Sequence, residues 1–145
     1  MASDEGVVPS LGNDDPRGPV TNEERIVVLE AFGQAGDLHD IDGMMSLMTD
    51  DCVFDSAFGP DAHGTRYEGR DQVRDGLQSF LDIAPDGRWA DAQHFVRGDR
   101  GVSEWTFTGT AQDGSRIEVA GCDVVTFRGR KIAVKNSFRK ERRTR

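Results

Sequence analysis

The chain has 145 residues, 36% hydrophobic and 30% charged, which suits one soluble domain whose core needs no disulfide or metal staple. No apolar run approaches the ~18 residues of a membrane helix, and the acidic start Met1-Ala2-Ser3-Asp4-Glu5 lacks a basic-then-apolar leader, so no membrane partner and a cytoplasmic location are expected. A formal net charge of -8 argues against a nucleic-acid partner.

Residues 1–20 carry several Gly, Pro and acidic residues without apolar periodicity and read as a flexible arm. Thr21-Asn22-Glu23-Glu24 is a capping box, in which Thr21 and Glu24 satisfy each other's backbone amides. It predicts a helix over about 22–35, with Val28, Leu29, Phe32 and Ala35 inward and Gly36 as its stop. Asp40 caps a short second helix whose apolar side is Ile41, Met44, Met45 and Met48. Cys52–Phe58 reads as a strand, and 59–64 as a loop. A third helix is expected over about 71–84, with Val73, Leu77, Phe80, Leu81 and Ala84 inward.

The remainder reads as strand: 90–97, 102–112, 116–127 and 131–140, joined by short turns that include Asp113-Gly114. Helices before a meander indicate an α+β domain, set here at 21–140, followed by a basic tail at 141–145. Cys52 and Cys122 read as free thiols in apolar stretches. No Cys/His spacing resembles a metal site, and no metal or cofactor is expected.

Alternation along 117–127 puts Asp123 on the apolar face, between Gly121 and Val125. Burial disfavours a carboxylate, so a neutral acid able to donate a proton is the functional reading. The competing reading is an Asp paired with a basic group. The same rule in the last strand groups Asn136 with Ile132, Val134 and Phe138, and sends Lys135 and Ser137 outward. Ser103, Trp105 and Phe107 share an inward face, and His94 lies with Ala92 and Val96. Asp55 is a second candidate carboxylate.

The order of elements, with Asp40–Asp55, Gly69–Arg74, Val119–Phe127 and Gly129–Ile132, resembles the nuclear transport factor 2-like superfamily, nearest to its SnoaL-like and ketosteroid isomerase-like members. The resemblance covers about 22–140. It implies a cone-shaped, curved antiparallel sheet wrapped around three helices, and a hydrophobic pocket. It also implies Asp123, Asp55 and His94 as catalytic residues. Asp55 would stand at the general base of the isomerases, and Asp123 at their neutral carboxylic donor. Their oxyanion-binding Tyr position falls on Phe32, so that hole is incomplete here.

The expected activity is therefore cofactor-independent acid/base chemistry on a small, apolar, oxygenated molecule: isomerisation, cyclisation or dehydration. Phe32, Met48, Phe54, Trp105, Phe107 and Asn136 are the expected substrate contacts. A cavity of roughly 300 Å³ or more would suit that use. The alternative is a non-catalytic binding or assembly module, and a homodimer through the face bearing Glu104, Thr106, Thr108 and Glu118 is expected.

Overall fold

A computed structural model describes residues 17–143; most of the acidic arm and the last two residues of the tail lie outside the described residues. Helix α1 (Asn22–Asp37) starts at the expected capping box and buries Leu29, Phe32, Ala35 and Gly36. Helix α2 (Ile41–Ser46) is capped by Asp40, which accepts from the Gly43 amide. Met48 is not on that helix but opens strand β1 (Met48–Asp55). A short strand β2 (Arg66–Glu68), unpredicted from the sequence, pairs with β1. Helix α3 (Gly69–Leu81) buries Val73, Leu77 and Leu81 at four-residue spacing. Gly76 on the same helix is required by packing, because a Cβ there would stand 2.7 Å from the Tyr67 ring.

Strands β3 (Arg88–Arg97), β4 (Arg100–Thr110), β5 (Arg116–Arg128) and β6 (Lys131–Arg139) follow as expected, within two residues at either end. The six strands form one curved, open sheet in the order β2-β1-β6-β5-β4-β3. The pairing of β1 with β6 is parallel; the others are antiparallel. Among the described residues no helix is long and apolar enough to cross a membrane.

The helices pack into the concave face. One core cluster joins Leu29, Phe32, Met44, Met45, Met48, Phe54, Leu77 and Ile132. A second gathers Ala84, Trp105, Phe107 and Val119 toward the far end of the sheet. Side chains such as Phe54, Met45 and Ile132, each at most 2% exposed, contribute roughly 1.5–3 kcal/mol apiece by leaving water.

Two irregularities decide which residues face that core. In β6, Val134 pairs with Thr126 but Ile132 pairs with Phe127, so Ala133 is an extra residue. A bulge of this kind shifts the alternation by one. Beyond it Lys135 and Ser137 turn inward, and Asn136 turns outward, reversing the strict-alternation expectation. In β3, Ala90 pairs with Thr106 and Gln93 with Glu104, which leaves one extra residue around Asp91 (φ 56°). Trp89 and His94 thereby reach the same face.

Candidate functional site

Four residues form one row across four strands. His94 on β3 stands opposite Ser103 on β4, Ser103 opposite Asp123 on β5, and Asp123 opposite Ser137 on β6. Strict pairing thus carries polar groups from the sheet edge to its middle on the buried face. His94 Nδ1 lies 2.8 Å from Ser103 Oγ. Burial lowers the His94 pKa, against smaller opposing effects of Glu30 and Asp123, so the ring is largely uncharged at neutral pH.

At the centre of the row Asp123 meets three donors. Lys135 Nζ donates to Oδ1 at 2.9 Å, Ser137 Oγ donates to the same oxygen at 2.5 Å, and Trp105 Nε1 donates to Oδ2 at 3.1 Å. Lys135 also donates to Ser137 Oγ at 2.7 Å, which leaves the serine proton for the carboxylate. The ammonium sits 4.8 Å from the centroid of the Phe54 ring. Both charged side chains are about 10% exposed. An ammonium, a hydroxyl and an indole N–H together provide for an anion at 123. The expected environment of apolar neighbours alone is replaced by a buried ion pair.

His94, Ser103, Trp105, Asp123 and Lys135 line a cavity whose other walls are apolar: Leu29, Phe32, Met44, Phe54, Phe80 and Trp89 among them. Its walls reach solvent near Gly33, Ala92 and His94. Measured to the centre of a water molecule, its volume is about 50 Å³. That is room for a few waters and well short of the expected 300 Å³, because Phe80 and Trp89, backed by Phe107 with ring centroids 5.0–5.9 Å apart, stack into the space. A drug-sized ligand enters only by displacing wall side chains.

Of the residues singled out from sequence, Asp123, His94, Phe32, Phe54 and Trp105 come together on this cavity. Asp55 does not: it follows Phe54 on the strand, and Arg66 holds both its oxygens at 2.8 and 3.0 Å. Met48 is fully buried in the core beside Ile132, away from the cavity lining. Phe107 packs behind Phe80 and Trp89 rather than on the wall. Asn136 faces a separate cleft against the 56–64 loop, because of the β6 bulge. Lys135 and Ser137 were missed for the same reason. The signal was present: Ile132-Ala133-Val134 is three apolar residues in a row, which alternation does not produce.

A search of curated proteins finds no match to the sequence. Among solved structures, a candidate polyketide cyclase from Xanthomonas campestris pv. campestris superposes with a TM-score of 0.72 at 19% identity, covering 81% of this chain and 90% of its own. An NTF2-like protein from Burkholderia xenovorans LB400 gives 0.68 at 15% identity, over 83% and 92%. TerC, co-crystallised with polyporic acid, gives 0.68 at 20% identity, over 81% and 92%. At these identities the likeness establishes the nuclear transport factor 2-like fold. The SnoaL-like domain family matches residues 29–135, most of the chain, and the protein therefore belongs to the SnoaL-like family.

Proposed function

We propose that the chain is a cofactor-independent acid/base enzyme acting on a small oxygenated molecule bound in the cavity. The observation that supports this is a buried Lys135–Asp123 pair, backed by Ser137, and an uncharged His94 set on one largely apolar cavity. In this reading a ligand carbonyl takes the third N–H of Lys135, two being used by Asp123 and Ser137. His94, with Nδ1–H on Ser103, accepts the neighbouring C–H proton at Nε2. The negative charge that develops on the ligand oxygen is met by the ammonium in a site of low dielectric. Returning the proton to another carbon gives isomerisation; attack of the enolate carbon on a second carbonyl, whose alkoxide takes the proton back from His94, gives cyclisation.

Both oxygens of Asp123 are taken up by three donors, so its part is to hold Lys135 in place. The oxyanion-stabilising role expected of a neutral acid at 123 passes to Lys135. TerC, of the same fold, was co-crystallised with polyporic acid, an oxygenated molecule, which agrees with this substrate class. Exposed Phe95 and Phe138 on the sheet support a homodimer, whose test is sedimentation at micromolar concentration; a monomer there refutes it.

The narrow cavity favours a second reading, a binding module without chemistry. Exchange of the α-protons of 2-tetralone in D₂O, followed by proton NMR, separates the two. Acceleration that is lost in both Lys135→Met and His94→Gln supports the enzyme. Binding without acceleration supports the module.

A further inference from the structure

Arginine supplies most of the positive charge of this chain: of its 18 basic residues only Lys131, Lys135 and Lys140 are lysines. The ion pairs of Glu24, Asp42, Asp51 and Asp55 are all made with arginine. A guanidinium suits that use, with a fixed fork of donors and a charge it does not give up. The cavity departs from this pattern. Its cation is Lys135, which is 8% exposed, whereas Lys131 and Lys140 are exposed. What an ammonium offers and a guanidinium does not is a proton that can leave and a lone pair that then attacks.

The surroundings of Lys135 Nζ suit both events. Asp123 Oδ1 accepts its hydrogen bond at 2.9 Å, and Ser137 Oγ, 2.7 Å from Nζ, is bonded to both groups. Moving one proton from Nζ to Oδ1 turns a buried ion pair into a neutral amine beside a neutral acid, and burial favours the neutral form of each. The other neighbours of Nζ are the Phe54 ring, with its centroid at 4.8 Å, and the cavity itself. A carbonyl carbon that enters the cavity meets an amine backed by an acid, in a space with room for only a few waters.

We propose that Lys135 forms a covalent imine with aldehydes or ketones bound in this cavity, an activity beyond hydrogen bonding to their carbonyl. It rests on a carbonyl compound occupying the cavity, as in the proposed activity. Nζ gives a proton to Asp123, and its lone pair attacks the carbonyl carbon as the C=O π electrons move to oxygen. A second proton passes from nitrogen to that oxygen, giving a carbinolamine. Asp123 returns its proton to the hydroxyl, the C–O bond breaks with loss of water, and the nitrogen lone pair closes the C=N bond. An ammonium and a carbonyl have become an iminium and one water. Charge is conserved, so Asp123 ends as a carboxylate beside the remaining N–H, and the buried pair survives the reaction. An iminium acidifies the neighbouring C–H more strongly than a hydrogen-bonded carbonyl does, which serves the proton transfer assigned to His94.

The test is reductive trapping of the wild-type chain with acetone and sodium cyanoborohydride at neutral pH. Hydride adds to the iminium carbon and leaves an isopropyl group on nitrogen, which peptide mass mapping locates. Lys131 and Lys140 are internal controls, because exposure alone would label them first. Lys135 is expected to react about tenfold faster than either, or more. The Lys131→Arg/Lys140→Arg variant, changed only at exposed positions, should keep that labelling. Labelling of Lys135 at an equal or slower rate than the controls, or none, overturns the proposal. Exchange of 2-tetralone protons that depends on Lys135, without preferential labelling, overturns the imine and keeps the hydrogen-bonded ketone. Preferential labelling without exchange supports the imine and refutes the proton transfer.

Discussion

Replacing Lys135 by Met leaves the Asp123 carboxylate buried without its cation. Removing one partner of a buried, hydrogen-bonded pair costs ~3–5 kcal/mol, because the remaining charge is uncompensated. Ser137 and Trp105 still donate to Asp123, which places the expected loss near the lower end, about 3 kcal/mol. Asp123→Asn strands the ammonium instead and costs a similar amount. The double variant removes both charges, so its loss should fall short of the sum of the single losses by at least ~2 kcal/mol. Urea unfolding followed by tryptophan emission reads this directly, since Trp89 and Trp105 both line the cavity. With an m-value of about 1–3 kcal/mol/M, the single variants should lower the midpoint by roughly 1–3 M. Single losses below ~1 kcal/mol that simply add would mean a solvated, weakly coupled pair, and the reasoning about the cluster would be wrong.

His94 supplies a pH dependence whose sign is fixed. Its pKa is lowered in the folded chain from about 6.5, so below that pH the unfolded state takes up the proton first and stability falls as pH drops toward the folded value. His94→Gln should flatten the urea midpoint between pH 8 and pH 5; an unchanged slope contradicts the assignment. Gly121→Ala would put a Cβ 2.6 Å from the Trp105 ring and 2.5 Å from the Phe138 carbonyl, with an expected loss of about 1–3 kcal/mol and a shift in tryptophan emission; a silent substitution would show that Trp105 is not fixed on Asp123. Burial raises both thiol pKa values, and Cys52 is fully buried whereas Cys122 is not. A thiol reagent should therefore modify Cys122 first, and prior loss of Cys52 would refute the placement of β1.

The helices and the four long strands were readable because each announces itself locally. Thr21 to Glu24 spell a cap, and Val119 to Phe127 alternate without interruption. Asp123 was found because β5 is regular throughout its pairing with β4. The partner of Asp123 was not found, because β6 is irregular. One inserted residue at Ala133 inverts every side chain after it, so Asn136 was expected where Lys135 and Ser137 stand. Asp55 misled for another reason. Its place in an apolar run signals burial, and it is 5% exposed, but the cross-strand Arg66 that satisfies it belongs to a three-residue strand too short to read from sequence. The cavity's narrowness is a property of how Phe80, Trp89 and Phe107 stack across three elements, which no local pattern encodes.

The central claim is that a ligand occupies this cavity, and Gly33 offers the direct means of checking it. Gly33 lines the wall from within α1, and a Cβ there would meet nothing within 4 Å. Gly33→Leu should therefore plug the space while raising stability by up to ~1 kcal/mol through better helix propensity. Tryptophan emission of the wild-type chain titrated with 2-tetralone should change saturably, and the plugged, more stable variant should show no response. No saturable response in the wild type, or an undiminished one in Gly33→Leu, would contradict the account.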